Sequence, residues 1–344
     1  MRTVEGSSFG LPESFVLLER PVPVPDAGQV RIRIEATALG YVDGLIIRGR
    51  YQLLPPLPYV PGGEIAGTVD AVGAGVTSVR EGDRVATWQL GGGLAEWVVV
   101  NASDVDFVAP GLPLSTAAAM LVDYQTAHYA MFEQGKVKAG DTVLVLGSSG
   151  GVASASVQLA VQAGAHVIAA ASTEDKRNAA LGLGAHSTVD YSRSDWRNAL
   201  KELAPGGVDV VLDPVGGDAF DPAFRSLAKG GRYLVVGFAA GSIPTLPVNI
   251  ALVKNAALLG VDIRYFLATQ PERARRVRSA LSSLVARGTL KAPNVIRFKL
   301  EQAQEALTAT MVRARSGKVV VAPGPSEAND DARDTLTNSR PHTS

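Results

Sequence analysis

The sequence predicts an α/β protein in two parts, a turn-rich β domain and a doubly wound parallel sheet, and three observations carry that prediction. Residues 143–163, read Val-Leu-Val-Leu-Gly-Ser-Ser-Gly-Gly-Val-Ala and then Ser-Ala-Ser-Val-Gln-Leu-Ala-Val-Gln-Ala, pass from a buried strand through a glycine-rich turn into a helix. Downstream, β-type runs alternate with helical stretches at βαβ spacing as far as residue 262. Upstream, short β-type runs are separated by proline and glycine clusters.

The β part is read from runs at residues 30–36, 67–72, 84–87 and 95–100, punctuated by clusters at 54–58 and 61–63. After Pro113 the texture changes, and residues 114–132 read as largely helical. Strands follow at 142–147, 166–171, 188–190, 208–212, 232–237 and 256–262, enough for one doubly wound domain. Val152, Leu159, Ala160 and Ala163 fall on one face of the helix after the glycine turn, so that face packs on the sheet. Residues 271–287 and 301–313 read as helices, and 318–321 as a terminal strand able to return to the first domain. Everything after Ala322 is polar and aperiodic, the composition of a disordered tail.

Composition narrows the function. With 46% hydrophobic and 19% charged residues in 344, the chain is an ordinary soluble type, long enough for two domains. Its 33 basic and 33 acidic residues cancel, so no long-range field favours nucleic acid or an anionic membrane. The absence of cysteine excludes disulfides, thiolate zinc sites and a cysteine nucleophile, and four histidines make any transition-metal site hard to assemble. The first ten residues lack a signal-peptide pattern and no apolar run reaches spanning length, so the expected location is cytoplasmic.

The glycine turn identifies an anion site. Gly147 lets the chain turn off the strand, Gly150 and Gly151 let backbone N–H groups approach a pyrophosphate, and the following helix points its positive end there. Where such domains place a carboxylate for a ribose 2′-hydroxyl, this chain reads Ala169-Ala170-Ala171-Ser172-Thr173. Ser172 can donate to a 2′-phosphate and Lys176 can neutralise part of its charge, which favours NADPH over NADH. The competing reading makes Ser172 only a helix N-cap and Lys176 a solvated residue.

Together, residues 39–51, Pro61-Gly-Gly-Glu-Ile-Ala-Gly-Thr-Val69, the glycine turn and Asp213-Pro-Val-Gly-Gly217 resemble the medium-chain dehydrogenase/reductase superfamily, and within it the zinc-independent quinone oxidoreductases. The resemblance runs from about Val30 to Val321. It implies a GroES-like catalytic domain (1–122 and 263–325), interrupted by a Rossmann domain (123–262) and followed by a tail at 326–344. Zinc-dependent relatives hold their metal at positions occupied here by Gly40, Gly63 and Val122, none of which carries a ligand atom.

The resemblance also assigns cofactor contacts. Ser172, Lys176, Tyr191 and Arg313 would hold the 2′-phosphate, and Gly147, Ser149, Gly150, Gly151 and Val152 the pyrophosphate. Val215 falls on the adenine side, while Phe238, Ala239, Gly241, Val261, Asp262, Ile263, Thr126 and Tyr41 would line the nicotinamide. The family commonly carries asparagine and tyrosine where Gly40 and Leu45 stand here, which points to a more apolar or more open cleft.

Without a Lewis acid, hydride transfer suits acceptors that are already electron-poor, so the expected substrates are quinones or α,β-unsaturated carbonyl compounds. The developing enolate needs a hydrogen-bond donor and a proton. Tyr41, Tyr51, Asp123 and Tyr124 are the local donors. Arg264, Tyr265 and Phe266 are candidate substrate-wall residues, and Asp43 is expected to fix its loop. Two alternatives stay open: a pathway-specific or enoyl-thioester reductase, and an NADPH-binding sensor with little turnover. The family also implies a homodimer through the apolar edge run at 256–262.

Overall fold

A computed structural model describes residues 1–312 and 317–324. Arg313 and the tail at 326–344 lie outside the described residues.

The nucleotide-binding part is a six-stranded sheet in the order Ser187–Val189, His166–Ala170, Thr142–Leu146, Val208–Asp213, Leu227–Val235 and Ala257–Gly260, every pair parallel. Val143 to Leu146, Val167 to Ala170 and Val210 to Leu212 are buried, with side chains packed on both faces of the sheet. Helices cover both faces of such a sheet, which is why its strands read as continuous apolar runs. Chain order reverses between Thr142–Leu146 and Val208–Asp213, and the crevice for a ligand opens beyond the carboxyl ends of those two strands.

The second sheet has seven strands. Val295–Lys299 pairs in parallel with Lys318–Ala322, and the sheet continues antiparallel through Gln29–Leu39, Glu64–Val72, Arg84–Trp88 and Val105–Phe107, with Trp97–Asn101 also on Gln29–Leu39. The strand Lys318–Ala322 does return to the first part, with Val319 opposite Leu39 and Val321 opposite Thr37. Three pieces escape the sequence reading: the hairpin Arg2–Glu5 with Val16–Glu19, Val105–Phe107, and Val295–Lys299. Each is three to five residues, too short to show an alternating pattern. The helix expected at 301–313 is shorter, at Ala303–Thr310. The edge strand ends at Gly260, because the Asp262 side chain accepts from Arg264 N and caps the helix Ile263–Thr269.

The helix Leu114–His128 is shared by the two sheets. It crosses the domain boundary expected at residue 122/123 without interruption and continues as a wider turn over Tyr129–Gln134. One face packs with Ala36, Ala38, Ala66 and Val320 of the β-rich sheet, and another meets Ala155 and Leu159 of the helix Gly151–Gln162. Buried amides complete the joint: Gln158 Oε1 accepts from Lys291 N at 2.7 Å, and Gln125 Nε2 donates to Ala274 O at 2.9 Å.

His128 ends this helix half-buried, its ring edge-on to Phe132 at 5.0 Å and its Nδ1 without a partner. Burial pulls its pKa below 6.5, partly opposed by Glu133. The unfolded chain then binds the extra proton more readily, so stability falls as pH drops below the ordinary histidine value. The melting temperature should therefore decline between about pH 7 and pH 5.5, and His128→Gln should flatten that decline. Equal slopes for the two proteins would contradict this.

Candidate active site

The site is built around one buried ammonium group. Lys318, the first residue of the returning strand, donates to Glu64 Oε1 at 2.5 Å and to Asp123 Oδ2 at 3.0 Å. Glu64 opens the strand Glu64–Val72, and its other oxygen accepts from Val122 N at 3.1 Å. Asp123 lies one turn before Thr126 on the shared helix. Asp43, also buried, accepts from Gly40 N at 2.7 Å and so holds the loop into the helix Tyr41–Ile47, as the sequence suggested.

The electrostatics follow from burial. Desolvation pushes the Glu64 carboxyl up, with Lys318 opposing and Asp123 and Asp43 adding to the rise. Desolvation also pulls at the Lys318 ammonium, but the Asp123 and Glu64 carboxylates outweigh it and raise its pKa. Lys318 therefore carries a firm positive charge. Asp43 is raised by burial, against the hydrogen bond from Gly40 and the field of Lys318.

The positions that hold zinc in metal-dependent relatives sit around this cluster. A β-carbon on Gly40 would lie 3.4 Å from Lys318 Nζ, and one on Gly63 would lie 2.2 Å from the Gln89 carbonyl oxygen. Gly63 thus has no room for any side chain.

The glycine turn fits a dinucleotide. Gly147 has φ +59°, and a β-carbon there would strike Val215 Cγ2 at 2.7 Å, so Val215 packs on the turn. Gly150 is exposed at the N-cap of the helix Gly151–Gln162, with Ser149 and Val152 half-buried beside it. Gly151 carries no side chain for a local reason: a β-carbon would lie 1.9 Å from Asp123 Oδ2. Among the described residues, five buried hydroxyls have no hydrogen-bond partner, and two of them, Ser148 Oγ and Thr126 Oγ1, lie at or near the glycine turn. Unsatisfied buried donors of this kind call for a ligand or water. Ser148 was missed because its neighbour Ser149 reads identically in sequence.

Opposite the turn, Asp213 closes the fourth parallel strand and accepts from Val215 N, Gly216 N and the Tyr233 hydroxyl. It fixes the Pro214 to Gly217 turn, against which Phe238 packs. Ala239 and Gly241 follow on the exposed side.

At the adenosine end, Thr173 and not Ser172 caps the helix Glu174–Gly182, accepting from Lys176 N at 3.4 Å. The Ser172 hydroxyl is instead hydrogen-bonded with Tyr191, whose phenol burial pushes up. Arg177 stands beside them, bonded to Ala171 O at 3.2 Å and Asp190 Oδ2 at 3.0 Å, a cation the sequence reading did not single out.

On the substrate side, Tyr41 is 41% exposed and Tyr51 half-buried. The Arg264 guanidinium lies 5.4 Å from the Tyr51 ring centroid. Val261 and Ile263 are half-buried near them in sequence. Three expectations need correction. Tyr124 is buried and donates to Lys291 O at 2.5 Å, so it is a joint between elements and offers no proton to a cleft. Phe266 is buried and stacks on Tyr129 at 4.7 Å, which leaves only Arg264 and exposed Tyr265 from that trio as wall residues. Asp123, expected among the proton donors, is instead a hydrogen-bond acceptor of Lys318.

This geometry defines a two-part, alcohol-dehydrogenase-like oxidoreductase with a dinucleotide site. Residues 26–110 match the alcohol dehydrogenase GroES-like domain, and residues 151–282 match the zinc-binding dehydrogenase family. Quinone oxidoreductase-like protein 2 of Bos taurus is 35% identical over 89% of this chain and 88% of its own length. Human quinone oxidoreductase is 32% identical over 89% and 92%. The structure of Escherichia coli quinone oxidoreductase complexed with NADPH superposes with a TM-score of 0.87 at 26% identity, covering 94% of this chain and all of that one. The chain belongs to the quinone oxidoreductase group of the medium-chain dehydrogenase/reductase family.

The crowding at Gly63 gives a direct test. Gly63→Ala should destabilise the protein by about 1–3 kcal/mol because backbone, not a flexible side chain, meets the added methyl. A melting temperature within a degree or so of the parent would show that the loop has room after all.

Proposed function

We propose that the protein uses NADPH to reduce a quinone or an α,β-unsaturated carbonyl compound without a metal ion. The observation that carries this is the place of two of the five partnerless buried hydroxyls among the described residues: Ser148 lies in the glycine turn, and Thr126 lies one turn beyond Asp123, which packs against Gly151. Ser148 to Val152 would take the pyrophosphate and Thr126 the nicotinamide end. Ser172, Lys176, Tyr191 and Arg177 would surround the 2′-phosphate; Asp190 beside them is already paired with Arg177, while Glu174 and Asp175 in the same helical turn as Lys176 offset part of its charge.

Bound NADPH supplies the hydride. The chain's own part is to orient and to exclude water, since no strong acid faces the cleft. Burial raises the Tyr51 pKa, while Arg264 opposes it, so the phenol keeps its proton near neutral pH and can donate a hydrogen bond to the acceptor's carbonyl oxygen. Tyr41, at the first position of its helix, is the second donor.

The same reading places the enzyme in the cytoplasm with no nucleic-acid or membrane partner. It also makes it a homodimer. The edge strand Ala257–Gly260 has one open side, and the neighbouring helix Val248–Lys254 buries none of its residues, with Val248, Leu252 and Val253 each at least 74% exposed. An unpaired apolar edge of this kind is relieved by pairing with its symmetry copy.

Two measurements check the reading. NADPH consumption at 340 nm against a benzoquinone, a cyclic enone and an enoyl thioester should show turnover with a quinone or the enone and preference for NADPH over NADH. Lys176→Ala should weaken NADPH by roughly 10- to 100-fold and leave NADH unchanged, the loss of charge-assisted bonds of about 1.5–3 kcal/mol. NADPH binding without consumption of any acceptor would favour a sensor, and thioester-only turnover a pathway reductase. Light scattering should give a dimer, and a monomer at micromolar concentration would contradict the edge pairing.

A further inference from the structure

We infer that Lys318 is a positioning residue for the cofactor: its ammonium neutralises the Asp123 carboxylate at the first turn of the glycine-turn helix, so that this helix end can accept a pyrophosphate. The inference rests on the NADPH reading above.

Four observations converge. First, Asp123 is packed against the anion site itself. Its Oδ2 lies where a β-carbon of Gly151 would go, and Gly151 is the first residue of the helix Gly151–Gln162. Second, an uncompensated carboxylate there would occupy the positive helix end, whose effective charge is only about half a unit, and would repel the incoming diphosphate. Third, the compensation is present and held in place. Lys318 is buried, bonded to Asp123 at 3.0 Å, and anchored from behind by Glu64 at 2.5 Å. Fourth, of the three members, Asp123 has the most exposed side chain, at 17% against 6% for each of the others. The charge that a ligand would meet is therefore that of Asp123, and the charge that cancels it lies just behind.

Lys318 also links cofactor and catalytic parts in one step. It sits on the strand paired with Gln29–Leu39, while Asp123 belongs to the helix that touches the glycine turn. A cofactor held against Gly150 and Gly151 is thereby referenced to the sheet that carries Gly40, Tyr41 and Glu64.

The test is NADPH titration by fluorescence at low ionic strength, with melting temperatures of the free proteins as a folding check. Lys318→Met is combined with Glu64→Gln so that Asp123 is the one carboxylate of the cluster left uncompensated. This double variant should raise the NADPH dissociation constant about tenfold, the scale of one unit charge acting near a polyanion at the protein surface. Adding Asp123→Asn should return it to within about threefold of the parent, since the repelling charge is then gone. Lys318→Arg should bind close to the parent. Unchanged affinity in the double variant, or failure of Asp123→Asn to restore it, would overturn the inference, the latter showing a purely structural role. If the double variant does not fold, Asp123→Asn alone decides: it should bind at least as tightly as the parent, and a loss of more than about threefold overturns the inference. Failure of the parent itself to bind NADPH would instead remove the functional reading on which this one rests.

Discussion

The contact among Lys318, Glu64 and Asp123 is the constraint on which the site depends. Burying an ammonium and two carboxylates costs several kcal/mol per ion before any attraction is counted, so such a cluster is a poor source of net stability. Its consequence is geometric. Removing one partner leaves a bare buried charge, at about 3–5 kcal/mol, and the three elements that carry these residues are thereby held to one arrangement. Those elements are the central strand of the β-rich sheet that begins at Glu64, the returning strand that begins at Lys318, and the shared helix.

The helix Leu114–His128 then does for packing what Lys318 does for charge. Its faces meet both the β-rich sheet and the helix Gly151–Gln162, so it ties the element that follows the glycine turn to that sheet. Hydrogen bonds from Gln125 to Ala274 O, from Lys291 N to Gln158 and from Tyr124 to Lys291 O secure the joint. On the proposed reading, positioning two bound reactants is a large part of the catalysis, and this joint would hold the two parts that position them.

Much of this was legible in the sequence where a pattern repeats. The six parallel strands appear as apolar runs spaced by helices, and Gly147 and Gly151 mark the turn because only glycine tolerates the close approach of Val215 and Asp123 there. What escaped were features set by partners distant in sequence. Lys318 looks like an ordinary residue before a Val-Val-Val strand, and only folding brings it 254 residues back to Glu64. Tyr124 and Phe266 read as cleft aromatics because neighbours in sequence line the cleft, whereas helical phase turns both inward. Asp123 was expected as a proton donor but accepts from Lys318, since a carboxylate's role as donor or acceptor depends on the partner across the joint. The cap that the competing reading gave to Ser172 falls one position later, on Thr173, and the serine is hydrogen-bonded with Tyr191.

The claim that binds these pieces together is that one dinucleotide is held between the two parts, against the turn from one side and the shared helix from the other. Hydrogen–deuterium exchange with and without NADPH measures this directly. Amides at Gly147 to Val152 and those around Thr126 should slow together on addition of the cofactor, in the same concentration range. Protection confined to the turn, or absent from both, would contradict the account.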